Sequence, residues 1–220
     1  MFPDTAMKTS PSRRGFTLIE LLVTISIVAI LSAMAWGGAT VMLRRSKEKK
    51  TYTMIQQVGG KLEDYRADKA YYPEPASTDK TVEISGESWP SGGASCIYQA
   101  LTGDGDSEIK GLEHNPSKGE TGWAGKVYME NIQPPSEIDI RNNKQVEWVS
   151  VIGESYFLID AFRHPLVYTL AKKDKNKQVV NVEEMFSSGD YDLYSFGALT
   201  KAENTEDKQL KWISNWGGAP

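Results

Sequence analysis

From Leu21 to Leu43 the chain runs for 23 residues without a formal charge, and no other feature limits its possible folds as much. A helix rising about 1.5 Å per residue covers roughly 34 Å over that length, enough to cross a bilayer core of about 30 Å. The 220 residues therefore have room for one membrane segment and one modest globular domain. A secretory signal peptide is the competing reading. Its apolar region would be shorter and would end at small residues, for which Ser32-Ala33-Met34 and Gly37-Gly38-Ala39 are candidates.

Both flanks of the run are basic. Asp4, Lys8, Arg13 and Arg14 give residues 1–15 a charge of 3 − 1 = +2, while Arg44, Arg45, Lys47, Lys49 and Lys50 against Glu48 follow the run. Counting positive charges alone does not fix the orientation. Glu20 stands at the near edge of the run. An ionised carboxylate within a membrane helix costs about 2.5 to 3.5 kcal/mol, so Glu20 either snorkels to the interface or meets a cation.

The residues around this acid, Arg13-Arg14-Gly15-Phe16-Thr17-Leu18-Ile19-Glu20-Leu21-Leu22, closely resemble the class III leader junction of type IV pilins and type II secretion pseudopilins. The resemblance implies that a prepilin peptidase cuts between Gly15 and Phe16 and methylates the new amine of Phe16. The mature charge becomes −4 − 2 = −6. The new ammonium lies four residues before Glu20, on the same helical face, and opposite charges brought together in low dielectric offset each other's desolvation. In the family that carboxylate meets the amine of a neighbouring subunit, which makes Glu20 an assembly residue.

Past the membrane run, Tyr52, Ile55, Val58, Leu62 and Tyr65 recur at helical spacing, with Lys61, Glu63, Asp64 and Arg66 on other faces. The stripe is too short for a coiled coil and is expected to pack on the chain's own domain, with Pro73 ending the helix. The stretch Tyr65–Pro73 also resembles the helix end of the major pseudopilin of type II secretion. Asp160–Tyr168 is similar to that family's hairpin region, departing at Arg163 and His164, and Tyr191–Gly197 with Trp212–Trp216 is similar to its last strand and closing segment. Residues 76–150 have no counterpart and, being rich in turn signals such as Trp89-Pro90-Ser91-Gly92-Gly93 and Thr102-Gly103-Asp104-Gly105, read mostly as loop. A short helix over 94–101 buries Cys96, and short strands are expected over 156–159, 166–170, 179–182 and 191–196, joined as an antiparallel sheet. The fold class is α+β, a long N-terminal helix packed on a small antiparallel sheet domain. Its parts are a leader at 1–15, a transmembrane half-helix at 16–43, an amphipathic half-helix at 44–72 and a loop-rich globular domain at 73–220.

Chemistry is sparse by comparison. Asp104-Gly-Asp-Ser-Glu108 imitates the opening of an EF-hand loop but has Ile109 where glycine is needed and Asn115 in place of the closing glutamate. Major pseudopilins bind calcium in the loop matching 197–212. Here Leu199 replaces an expected aspartate, yet Glu203, Asn204, Glu206 and Asp207 offer hard oxygen ligands, so a calcium site and a loop held by Trp212 and Trp216 both stay open. His114 and His164 lack zinc spacing and no nucleophile elbow or phosphate loop occurs, so enzymatic activity is not expected. A pI near 5.4 gives no global basic face for nucleic acid. Lys172–Lys177 reads as a solvated hairpin tip. The one cysteine excludes an intrachain disulfide.

The resemblance implies a structural subunit of a type II secretion pseudopilus. Its partners would be further copies in a helical homopolymer, other pseudopilins, the prepilin peptidase and an inner-membrane assembly platform. Its domain would face the periplasm from a single-pass inner-membrane anchor. A type IV pilin for adhesion, motility or DNA uptake is the near alternative, and a membrane-tethered binding module the more distant one. Intact mass of the membrane-extracted protein checks the processing step: loss of residues 1–15 with one added methyl is expected, and an uncut chain contradicts it.

Overall fold

The computed structural model describes residues 15–105, 107–111, 125–132, 147–152, 155–176, 178–199 and 212–217. The chain divides into two compact units, Met1–Leu43 and Arg44–Pro220. Helix α1, Leu18–Lys69, begins in the first and continues as the first element of the second. In the first unit every described side chain of the helix is exposed, including Leu22, Val23, Ile27, Val28 and Leu31. An apolar surface on all sides suits lipid rather than water, and α1 is long and apolar enough to cross a membrane. Two hydroxyls within it are locally satisfied: Thr24 donates to the Leu21 carbonyl and Ser26 to that of Leu22, each at 2.8 Å.

In the second unit the same helix meets a protein core. Ile55, Val58, Leu62 and Tyr65 are fully buried and Tyr52 is half-buried, as their spacing requires, while Thr51 and Met54 widen the stripe. They pack in one cluster with Cys96, Ile97 and Leu101, and with Leu158, Tyr168, Leu193 and Ile213 from the strands. A buried leucine of this kind is worth about 1.5 to 3 kcal/mol. The helix ends at Lys69, short of the expected boundary at 72 and before Pro73 can act. Ala70 takes the left-handed conformation, φ 67°, and its N–H donates to the Arg66 carbonyl at 2.8 Å, which caps the last turn.

Among the described residues three small antiparallel sheets stand where one was expected. They are β1 (Thr81–Ile84) with β2 (Glu87–Pro90), β3 (Val149–Ile152) with β4 (Ser155–Leu158), and the sheet β5-β6-β7 formed by Val167–Leu170, Tyr191–Ser195 and Ile213–Ser214. Strands β5 and β6 fall in the expected windows, and β4 lies one residue ahead of its own. The β1–β2 hairpin corrects the reading of 76–150 as mostly loop. Ser85 and Gly86, with φ of 55° and 81°, form a two-residue connection with both φ positive, the turn whose twist suits a hairpin. The expected strand over 179–182 is corrected too. Val179 makes only an isolated bridge to Lys173, and Val182–Glu184 is a 3-10 turn. Val180 and Val182 are exposed, so this β-branched run has no buried face to hold it in a sheet.

Helix α2, Gly92–Thr102, buries Cys96, Ile97, Ala100 and Leu101 as expected, but begins at the two glycines that read as a turn. A Cβ on Gly92 would stand 2.0 Å from the Ser77 carbonyl oxygen, and one on Gly93 2.5 Å from that of Tyr168. The glycines therefore let the helix start lie directly on the 77–80 segment and on β5. At its other end Gly103, φ 69°, donates to the Gln99 carbonyl at 2.9 Å.

Asp160 fastens the corner between β4 and β5. Its Oδ1 accepts from the N–H groups of Phe162 and His164, both at 2.8 Å, and its Oδ2 accepts from the Ser195 hydroxyl of β6. Burial pushes the carboxyl above the usual aspartate range, and these donors pull against that shift. Nearby, the His164 ring stacks on Trp89 at 4.2 Å, in a second cluster with Phe157, Ile159, Tyr194 and Phe196. Asp160→Ala strands one buried and two part-buried donors and should lower stability by about 3 to 5 kcal/mol. Asp160→Asn keeps an oxygen for the two amides and should cost less than half as much. Urea unfolding of the two variants tests the difference.

Candidate functional site

The residues singled out at the start of the chain meet at the first turn of α1. Gly15, Phe16 and Thr17 precede the helix and are exposed, so the Gly15–Phe16 peptide lies outside the helical hydrogen-bond ladder. The Thr17 carbonyl accepts the first helical bond, from Leu21 N–H at 3.1 Å, which makes Thr17 the N-cap residue.

Glu20 is the third residue of the helix and closes a capping box with Thr17. Its Oε2 accepts from the Thr17 backbone N–H at 2.9 Å and from the Thr17 hydroxyl at 2.8 Å, and that hydroxyl accepts from the Glu20 N–H at 3.3 Å. Among the described residues nothing donates to the second oxygen, Oε1. One oxygen is thus held by the chain's own first turn and the other is free to accept. The free positive end of the helix dipole also favours a carboxylate here. Weighing Glu20 between snorkelling and a cationic partner leaves Thr17 out. The signal was present, since Thr17-Leu-Ile-Glu20 has the spacing of a capping box.

The other candidates behave differently. Glu203, Asn204, Glu206 and Asp207 lie outside the described residues, as does His114. Among the described residues no group of three or more His, Cys, Asp or Glu side chains could hold a metal ion. Asp104 accepts from the Tyr98 hydroxyl at 3.1 Å, a structural tie across the end of α2. His164 sits in the Asp160 corner with Nδ1 3.1 Å from the Gly197 carbonyl oxygen. Cys96 is buried, and burial pushes its thiol far up.

The closing segment is built into the sheet. Trp212 stacks on Tyr194 at 4.7 Å and meets Phe186 edge-on at 5.0 Å. Asn215 clamps β6: its Oδ1 accepts from Leu193 N–H at 3.0 Å, and its own N–H donates to the Leu193 carbonyl at 2.9 Å. Elsewhere Trp89 is buried and Trp148 packs half-buried on the main cluster.

Comparison with known proteins bears on the same first turn. The family described as the prokaryotic N-terminal methylation motif matches residues 10–36. The chain is similar to the type IV major pilin protein PilA of Myxococcus xanthus, 28% identical over 109 residues, 49% of this chain and 46% of that protein. It is also similar to the fimbrial protein EcpC of Eikenella corrodens, 33% identical over 61 residues, 28% of this chain and 40% of that protein. The chain spans less than half the length of either of these curated relatives. No solved structure matches it. A methylation motif across its first helical turns and similarity to a pilin and a fimbrial protein mark the chain as type IV pilin-like.

Proposed function

We propose that the chain is a structural subunit of a type II secretion pseudopilus. It is inserted in the inner membrane with its domain in the periplasm, cut between Gly15 and Phe16 by a prepilin peptidase, methylated on Phe16, and polymerised with further copies. The observation that carries the reading is the half-satisfied carboxylate of Glu20, with Oε2 held by Thr17 and Oε1 left to accept. Cutting before Phe16 leaves Thr17 and its capping bonds in the chain, so Glu20 keeps its orientation while the new ammonium appears one residue before the cap. Within one chain Thr17 already occupies Oε2, and an ammonium from a neighbouring copy supplies what Oε1 lacks. Each added copy then brings one such pair into lipid, which fixes its axial register.

The choice of a secretion pseudopilus over a pilus rests on the segments Tyr65–Pro73 and Trp212–Trp216, which resemble the major pseudopilin. The similarity to a type IV pilin and a fimbrial protein favours the second reading, a pilus subunit for adhesion, motility or DNA uptake. In a strain lacking the gene, the secretion reading expects exported proteins to accumulate in the periplasm while surface pili persist. Loss of surface pili with normal export reverses the choice.

The assembly site makes its own prediction. Glu20→Ala should be cleaved and methylated yet yield no filaments. Thr17→Val keeps the carboxylate and the backbone bond but loses the hydroxyl. It should still assemble, with first-turn amide protection lowered by about 1 kcal/mol, roughly fivefold, in hydrogen exchange. Normal filament yield from Glu20→Ala would rule out the role given to Glu20.

A further inference from the structure

Beside the first turns that α1 contributes to the second unit lies an open cleft of about 530 Å³, walled by Ser46, Lys49, Lys50, Thr53, Asn131 and Trp148 among others. Its charge is uneven. Lys50 Nζ stands 3.2 Å from Glu147 Oε1, an exposed pair at the rim. Arg44 pairs with Glu48 at 2.9 Å, and Lys47 lies over the Phe162 ring at 5.5 Å. Lys49 lines the cleft and Arg45 precedes it by one helical turn on the same face, and neither has a carboxylate partner among the described residues. The cleft thus holds an uncommitted ammonium, a serine hydroxyl and a side-chain amide, a donor set that suits phosphate oxygens. One uncommitted lysine in an open cleft matches a single phosphate better than a polyphosphate.

Chain length says where this phosphate comes from. Ser46 is three residues past Leu43, the last uncharged residue of the apolar run, so it can stand no more than about 11 Å along the chain from the end of that run. Every described side chain of the run is exposed in the first unit. If the run spans the hydrocarbon core, the headgroup layer is within reach of the cleft. Trp148, half-buried in the wall, carries an amphipathic ring of the kind enriched at that depth.

We propose that this cleft, with Lys49 and Arg45, binds the phosphate of an anionic phospholipid headgroup and so holds the unassembled subunit in the bilayer. The proposal rests on the membrane reading made above. It gives the basic flank after the apolar run a task that charge counting left unexplained, and it makes release of the headgroup part of drawing a subunit into a filament.

The test reconstitutes the full chain in mixed phosphatidylglycerol and phosphatidylcholine vesicles, extracts it with its lipid shell in styrene–maleic acid discs, and weighs the shell lipids by mass spectrometry. Phosphatidylglycerol should be enriched about fivefold over the bulk bilayer. The enrichment should fall to the bulk ratio in Lys49→Glu and at high salt, and persist in Lys49→Arg. Shell lipids at the bulk ratio in the unaltered chain, or an unchanged enrichment in Lys49→Glu, would overturn the site while leaving membrane insertion intact. Loss of the enrichment on adding soluble glycerol phosphate would reassign the cleft to free anions. A chain that stays out of the vesicles would overturn the membrane reading, and the site with it.

Discussion

A carboxylate at the start of a helix bound for lipid must be satisfied before it leaves water, and the fate of Glu20 follows from that. Its first oxygen is satisfied locally, because Thr17 supplies both a backbone N–H and a hydroxyl. Its second is not. A capping box alone would be enough at the surface of a soluble protein, where water serves the remaining lone pairs. In a membrane an unmet oxygen carries the cost of a bare charge, and in the proposed assembly a cation supplied from outside the chain relieves it. On that proposal, assembly and solvation are the same event.

One helix serves two solvents. Up to Leu43 its described side chains are exposed, with apolar groups on every face, and from Thr51 a single face is buried against α2 and the strands. Between them, residues 44–50 carry five basic side chains and one acid. That change of surface along one backbone explains why the second unit needs so little regular sheet. The stripe from Thr51 to Tyr65, α2 and the aromatic cluster around Tyr194 and Trp212 supply the core. The short strands serve mainly to fix β5 and β6 beside the helix.

Much of this was legible in the sequence where one signal dominated. The uncharged run, the stripe Ile55-Val58-Leu62-Tyr65, the helix around Cys96 and the strands at Tyr156, Val167 and Tyr191 all carry strong periodicity or a bounded apolar run. Misreadings came where tertiary contact overrode a local signal. Gly92 and Gly93 look like loop punctuation, yet their lack of a side chain is what lets a helix begin against Ser77 and Tyr168. The valines at 179, 180 and 182 look like a strand, but Val180 and Val182 are exposed and Val179 makes only an isolated bridge. The Ser85-Gly86 hairpin was overlooked among many other turn signals. At the site, Gly15, Phe16 and Glu20 were read from a motif, while the part of Thr17 was hidden because attention went to charge rather than to capping.

The central claim is that Glu20 pairs across subunits, and an atomic-resolution cryo-EM map of the native filament tests it most directly. The expected result is the methylated amine of Phe16 in one copy within about 3 Å of the free carboxylate oxygen of Glu20 in the next, away from water. A map in which that oxygen points to solvent, or in which Glu20 is held by Thr17 of its own chain with no cation near, would contradict it.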